Sequence, residues 1–270
     1  MSDLVSIITP TYNSVQYIAE TVASIQAQTY KNWELLITDD GSTDETLQIL
    51  ADISKEDARI QVFQLSENGG PAKARNHSIE KAKGRYIAFL DSDDVWYPNK
   101  LTEQIILMTE KQAGFCYGSF DVRFEEGPVV DQKHVAPTID YKGLLLERAI
   151  GCLTAIYDTK IYGKVLMPDI KKRQDYGLWL HLLRIKSPAV GIQHPIALYR
   201  KRKQSVSSNP AKSAYYVWKV YYGVEKLGVL KSTYYFVLYS VRTLWQALRR
   251  QIKRQIKKHI TNKRHGESAS

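Results

Sequence analysis

Short apolar runs alternate with longer amphipathic stretches along the first hundred residues. Residues 4–9, 33–38, 60–65 and 85–90 are each too short for a helix and rich in β-branched, leucine or aromatic side chains, so they predict strands. Between them apolar positions recur at helical spacing: Ile18, Val22 and Ile25, then Leu47, Leu50 and Ile53. A third helix is expected over 72–82, opened by the turn Asn68-Gly69-Gly70-Pro71 and closed by Lys83-Gly84. Pro10 to Ser14 breaks the first strand, and Asn13 or Ser14 is placed to cap the helix that follows, as Ser42 or Thr43 is for the second. Tyr86-Ile-Ala-Phe-Leu90 is apolar without alternation, the pattern of a strand buried on both faces. Strand-to-helix units repeated in this way predict an α/β fold, a doubly wound, mostly parallel sheet flanked by helices.

The pattern thins in the second half. Pro98 opens a predicted helix at 99–111, and 114–120 reads as a strand. Residues 121–140, broken by Gly-Pro and Ala-Pro, predict a loop or a small hairpin. Short helices are expected at 142–148 and 158–164, and an amphipathic helix opening at Arg173 carries Leu178, Trp179, Leu182 and Leu183. Two strands, 189–192 and 196–202, are separated by a turn at His194-Pro195, and 205–210 is the best linker. The chain then divides into a main domain at 1–208 and a helical, basic tail at 209–270. Residues 233–248 are mostly apolar, but they fall short of the roughly 20 residues that span a bilayer, and Arg242 interrupts them. At helical spacing Leu238, Val241, Trp245, Leu248, Ile252, Ile256 and Ile260 form one stripe, with most of the neighbouring Lys and Arg off it. That is the pattern of a helix lying in an anionic membrane surface. Packing on its own domain, or on the second copy of a homodimer, is the alternative.

Charge sharpens this division. Of the net +10, residues 249–270 carry +7, so the body is nearly neutral and the basic character belongs to the tail. A nucleic-acid-binding body is therefore not expected. Cys116 and Cys152 form no C-x-x-C pattern and read as reduced core residues, and the histidines lack ligand spacing, so neither a disulfide frame nor a zinc site is expected. The N-terminus shows no basic region followed by an apolar run, so a cytoplasmic location is expected.

Candidate chemistry lies at the strand ends, where parallel sheets bind ligands. The first end gives Pro10, Thr11, Tyr12 and Asn13; the second Asp39 and Asp40; the third Gly69 and Gly70, with Arg75 a turn later; the fourth Asp91, Ser92, Asp93 and Asp94. Tyr12 suits stacking on a base, Asp40 accepting from a base N–H, and Arg75 facing a phosphate or bracing the acids. The clustered acids of the fourth end repel one another unless a cation joins them, and a hard divalent ion on a phosphate-bearing substrate is the natural one. The plain alternative is an acidic turn that caps the next helix. Neither G-x-G-x-x-G nor G-x-x-x-x-G-K-[ST] follows the first strand, which argues against dinucleotide-binding and P-loop enzymes. A sugar nucleotidyltransferase would also want a glycine-rich loop there.

Taken together, Ser6-Ile-Ile-Thr-Pro-Thr-Tyr-Asn13, Glu34-Leu-Leu-Ile-Thr-Asp-Asp-Gly-Ser42, Asn68-Gly-Gly-Pro-Ala-Lys-Ala-Arg-Asn76 and Phe89-Leu-Asp-Ser-Asp-Asp94 resemble glycosyltransferase family 2, the inverting enzymes of the GT-A fold. The resemblance implies a UDP-sugar donor and Mn²⁺ or Mg²⁺ on its diphosphate. Asp93 would hold the metal, Asp91 would serve the ribose and metal shell, and Asp40 with Pro10, Thr11 and Tyr12 would hold the uracil. Asn13, Gly69, Gly70, Arg75 and Ser92 would complete the nucleotide-sugar site. The family's general base falls on Asp175, with Gln174 replacing the Glu that usually precedes it. In the family pattern Tyr-Arg-x-His-x-x-Ser-x-Ser, Arg202 stands at the His position, where it would pair with a diphosphate rather than ligate an ion. Further elements resemble the teichuronic-acid, capsule and lipopolysaccharide branch. The implied acceptor is a saccharide or lipid-linked saccharide, reached from the inner face of the cytoplasmic membrane. A non-catalytic subunit that binds a nucleotide-sugar within a polysaccharide assembly complex is the alternative reading.

Overall fold

A computed structural model describes residues 3–125, 127–147, 149–201, 210–245 and 249. Its first half builds as the periodicity predicts. Strands β1 (Val5–Thr11), β2 (Trp33–Asp39), β3 (Ile60–Gln64) and β4 (Tyr86–Phe89) lie in the order β3-β2-β1-β4, all parallel. Helices α1 (Ile18–Gln26), α2 (Thr46–Glu56) and α3 (Pro71–Lys81) join them. Alternate side chains of β1 divide the core. Val5 and Ile7 pack with Ile18, Val22 and Ile25 of α1 and Leu50 of α2, whereas Ile8 packs with Ile79 of α3 on the opposite face.

Two local features differ from expectation. β1 continues through Pro10 to Thr11. In a parallel ladder alternate residues face alternate neighbours: Ile8 O accepts from Leu90 N on the β4 side, and Thr11 O accepts from Asp40 N on the β2 side. Pro10 shares the phase of Ile8, and β4 pairs with β1 only as far as Phe89, so the missing N–H leaves no ladder bond unmade. Nor do Asn13, Ser14, Ser42 or Thr43 cap helices. α1 and α2 begin later, at Ile18 and Thr46, without side-chain caps from these residues.

The second half departs further. The two-residue β5 (Val95–Trp96) is followed by α4 (Lys100–Glu110) and β6 (Phe115–Phe124), which forms a hairpin with β7 (Val129–Lys133). After β8 (Thr138–Ile139) and α5 (Tyr141–Leu146), β9 (Ile156–Asp158) slots between β4 and β6, antiparallel to both. Three residues carry no readable period, so this strand was invisible in the sequence. α6 (Thr159–Tyr162) and α7 (Gln174–Ile185) lead to β10 (Ala189–Lys201). β10 is one strand rather than two. Its parallel pairing with β6 passes His194-Pro195 with register shifts on either side of Pro195, so the expected turn is a bulge.

Beyond β10, α8 (Pro210–Lys219) runs into a π-helical turn at Val220–Val224, and residues 228–245 form a helix, α9. Val217, Val220, Tyr221 and Tyr239 are buried in the same cluster as Phe115 of β6 and Trp179 of α7. The extension is thus packed on one face of the sheet. No helix among the described residues is long and apolar enough to cross a membrane.

Candidate active site

The four parallel strand ends are tied into one surface by short polar contacts. At β1, Thr11 is buried and its Oγ1 has no hydrogen-bond partner, while the Tyr12 ring is 48% exposed. Asn13 adopts φ 46°, a left-handed conformation that Asn tolerates. There its N–H donates to Ser42 Oγ (2.9 Å) and its Oδ1 accepts from Thr43 N (2.9 Å), joining the β1 and β2 loops. Ser14 Oγ lies 2.8 Å from Ser92 Oγ, which joins the β1 loop to the acidic one. Asp39 closes its own turn by accepting from Gly41 N and Ser42 N. Asp40 is buried and its two oxygens accept from Gly69 N (2.7 Å) and Gly70 N (2.8 Å). The Gly pair is thereby clamped to the end of β2. Gly70 has φ +86°, which a side chain would resist, and delivers Pro71 as the first residue of α3.

α3 in turn places Arg75. This side chain is 8% exposed and forms an ion pair with Asp91, and its Nε is buried without a hydrogen-bond partner. Burial opposes its charge, but Asp91, Cys152 and Asp175 push its pKa above the ordinary arginine value. The Cys152 thiol is pushed well above its usual pKa by burial, against the pull of Arg75, and it feels the fields of Asp91, Asp175 and Asp94. Arg75, Asp91, Asp175 and Cys152 therefore share one neighbourhood, although Asp175 is distant in sequence. Cys152 packs against the core cluster, as expected of it, and also borders this group of charges, which nothing in its spacing signals.

Asp93 and Asp94 have different surroundings. Asp94 is buried, and its Oδ1 accepts from Arg200 N at 3.0 Å; Asp93 is only partly buried. Arg200, on β10, is almost fully buried. Its Nε donates to the Asp93 carbonyl oxygen (3.0 Å), its Nη2 pairs with Glu20 of α1, and its guanidinium lies over the Tyr17 ring at 4.6 Å. Thr21 Oγ1 donates to the Asp94 carbonyl oxygen (2.9 Å) from the α1 side. The acidic loop is thus held between α1 and β10. Glu20 also pairs with Arg123 at 3.0 Å; burial works against its charge, yet bonds to Arg200 and Arg123 hold its pKa below the usual value. Arg200 was legible only as part of the Tyr-Arg pattern, and Glu20 carried no signal.

α7 presents Asp175 in its first turn, where the helix dipole favours a carboxylate. Arg173 takes φ 70° to start the helix, a strained conformation for this residue, and Gln174 is buried. Tyr176 OH lies within hydrogen-bond distance of Leu144 O (3.0 Å) and Tyr221 OH (3.1 Å), sharing its one proton between them, and fixes the helix start against α5 and the C-terminal extension. Arg202 lies outside the described residues.

No group of three or more His, Cys, Asp or Glu among the described residues is arranged to hold a metal ion. The carboxylates of this loop that are only partly buried are Asp91, which pairs with Arg75, and Asp93. Carboxylate oxygens suit Mn²⁺ or Mg²⁺, and Mg²⁺ commonly binds through one or two carboxylates plus substrate phosphates. The donor set fits an ion whose coordination a diphosphate completes.

The profile described as Glycosyl transferase family 2 matches residues 6–167, from β1 through the acidic loop and beyond β9. The chain belongs to glycosyltransferase family 2. This family 2 glycosyltransferase is 42% identical over 238 residues to the TuaG protein of Bacillus subtilis (strain 168), named as a teichuronic acid biosynthesis glycosyltransferase; the match covers 88% of this chain and 94% of that one. It is 39% identical over 219 residues, 80% of this chain and 85% of the other, to WfgD of Escherichia coli, named as a UDP-Glc:α-D-GlcNAc-diphosphoundecaprenol β-1,3-glucosyltransferase. The crystal structure of Staphylococcus aureus TarS residues 1–349 with UDP-GlcNAc superposes with a TM-score of 0.67 at 22% identity, covering 88% of this chain and 70% of that one. The shared fold is that of the GT-A glycosyltransferases. The matched family range ends before α7, so the placement of Asp175 rests on geometry and resemblance alone.

Proposed function

We propose that this enzyme transfers a sugar from a UDP-sugar to a hydroxyl of a lipid-linked saccharide in cell-surface polysaccharide assembly, with inversion at the sugar C1. The observation that carries the reading is the start of α7, whose first turn presents Asp175 within electrostatic reach of Arg75, which itself pairs with Asp91 of the acidic loop. The names of TuaG and WfgD support the acceptor class, and WfgD makes UDP-glucose the first donor to test.

In this reading Pro10, Thr11, Tyr12 and Asp40 hold the nucleoside end, with Asn13, Gly69, Gly70 and Ser92 shaping the loops around it. Arg75 orients Asp91 through their ion pair, and Arg202 pairs with the diphosphate. Asp93, with Asp91, would hold Mn²⁺ or Mg²⁺, which when bound offsets charge on the departing diphosphate. The acceptor oxygen attacks C1 from the face opposite the leaving group. The C1–O bond to the diphosphate breaks, UDP leaves, and the hydroxyl proton passes to Asp175. Gln174, standing where a glutamate would precede Asp175, places one like charge fewer beside it. The acceptor lipid places the reaction at the inner face of the cytoplasmic membrane, with the basic tail at that surface.

The test is release of UDP from a panel of UDP-sugars by the pure protein, with Mn²⁺, Mg²⁺ or EDTA. The expected result is slow, metal-dependent release from at least one donor. Binding of a GDP- or dTDP-sugar in preference to every UDP-sugar would overturn the donor assignment.

A further inference from the structure

Helix α9 is apolar on two opposite faces. Its inward face, with Tyr235, Phe236 and the buried Tyr239, packs on the cluster that holds Val217, Val220 and Tyr221. Its outward face carries Leu230 (87% exposed), Tyr234 (60%), Val237 (51%), Val241 (60%) and Leu244 (70%). Their spacings of four and three set them on one stripe about 21 Å long at helical rise. Isolated exposed apolar residues are ordinary, but a continuous stripe of this length marks a surface with a partner.

We infer that this outward face docks on an anionic lipid bilayer, with α9 lying in the plane of the interface. The inference rests on the membrane-side placement proposed above and names the surface that achieves it. Charge selects the occupant. Arg249 sits over the Trp245 ring at 5.0 Å, Lys231 is exposed on a flank of the stripe, and residues 249–270 carry +7. A second copy docked here would gather two such cationic segments, whereas anionic headgroups neutralise them. Trp245, 54% exposed and joined to Arg249, is suited to the headgroup level, where an aromatic ring and a guanidinium both keep contact with water. Arg242 is held by Glu147, which fixes α9 to the residue after α5.

Docking also sets the height of the active site. The inward face of α9 shares its cluster with Tyr221, Tyr221 accepts from Tyr176, and Tyr176 follows Asp175. A bilayer under α9 therefore has a fixed relation to the start of α7, as an enzyme acting on a lipid-borne hydroxyl requires.

The experiment is sedimentation of the full-length protein with vesicles of phosphatidylcholine alone or mixed with phosphatidylglycerol, comparing wild type with the triple substitution Val237→Ser, Val241→Ser, Leu244→Ser. Wild type is expected to partition onto the anionic vesicles, with Trp245 fluorescence quenched by lipids brominated on the acyl chain and the quenching lost in Trp245→Phe. The triple variant is expected to lose roughly tenfold or more in partitioning, since each change removes buried apolar area. Its UDP affinity and circular dichroism should match wild type, because the changed residues are exposed and outside the site. Equal partitioning of the triple variant would overturn the inference in favour of tail charge alone. A wild-type dimer that the same substitutions convert to monomer would overturn it in favour of a second copy. A failure of the glycosyltransfer reading shows separately, as wild type that binds vesicles yet neither binds nor cleaves any UDP-sugar.

Discussion

Asp93 and Asp94 are adjacent in sequence and differ in their surroundings. Asp94 is spent on structure, buried and accepting the Arg200 amide, whereas Asp93 is the more accessible of the two. Asp93→Ala should abolish the Mn²⁺-dependent part of UDP binding, measurable by calorimetry with and without metal. Asp94→Asn should instead lower the melting temperature, because it weakens a buried charge-assisted bond. A second residue-scale prediction concerns Lys100, which is 1% exposed at the start of α4, bonded to Gln104 Oε1 at 2.7 Å and 3.8 Å above the Trp96 ring. Burial pushes its pKa from the usual 10.5 down to about 7, and the positive end of the helix dipole adds to the cost of its charge. Because the folded value is the lower one, the unfolded chain binds the extra proton between these two values, so this group makes stability rise with pH across that window. Lys100→Met should flatten the rise and stabilise the protein most on the acid side, as urea unfolding at several pH values will read.

The acidic loop owes its shape to the elements on either side of it. α1 holds it through Thr21, the β1 loop through Ser14, and β10 through Arg200, which Glu20 anchors in turn. Arg200→Lys keeps a charge but cannot serve the Asp93 carbonyl and Glu20 together in the same fork geometry. It should weaken metal-dependent UDP binding about tenfold while metal-free UDP binding stays near wild type. Equal loss in both conditions would point to general damage. The sequence could not display this arrangement. β1, β2 and β4 were legible because packing on both faces leaves largely apolar runs, and the partly buried edge strand β3 keeps enough apolar residues (Ile60, Val62, Phe63) to read as a strand. The strand-end motifs were legible because a ligand site at the ends of a parallel sheet needs particular residues at fixed offsets. β9 was not legible, since three residues show no period, and Glu20 looks like any exposed helix glutamate until β10 brings Arg200 against it. His194-Pro195 reads as a turn locally, but pairing with β6 on both sides carries the strand through.

At the scale of the molecule, the extension after β10 belongs to the packing of the body. Val217, Val220 and Tyr221 are fully buried in the cluster that contains Trp179 of α7. Burial of such side chains contributes about 1.5–3 kcal/mol each, so removing residues 209–270 should lower the melting temperature by many degrees and disturb the start of α7. The stripe on α9 was partly visible as a helical period. That its inward side would be claimed by Tyr235, Phe236 and Tyr239, leaving Leu230, Tyr234, Val237, Val241 and Leu244 to the outside, depends on long-range contacts no local pattern records. The start of α7, the acidic loop and α9 then form one connected body: Asp175 acts electrostatically on Arg75, Arg75 pairs with Asp91, and Tyr176 leads through Tyr221 to the cluster that α9 packs on. The central claim is that Asp175 takes the acceptor proton in this setting. Its most direct test is transfer from UDP-glucose, or whichever UDP-sugar the wild-type enzyme uses, to a lipid-linked saccharide by wild type and Asp175→Asn, with UDP affinity measured on the same samples. Asp175→Asn is expected to lose about 100-fold or more in turnover, the usual range for a general base, while its UDP affinity stays within a few-fold of wild type. Near-wild-type turnover in that variant would contradict it.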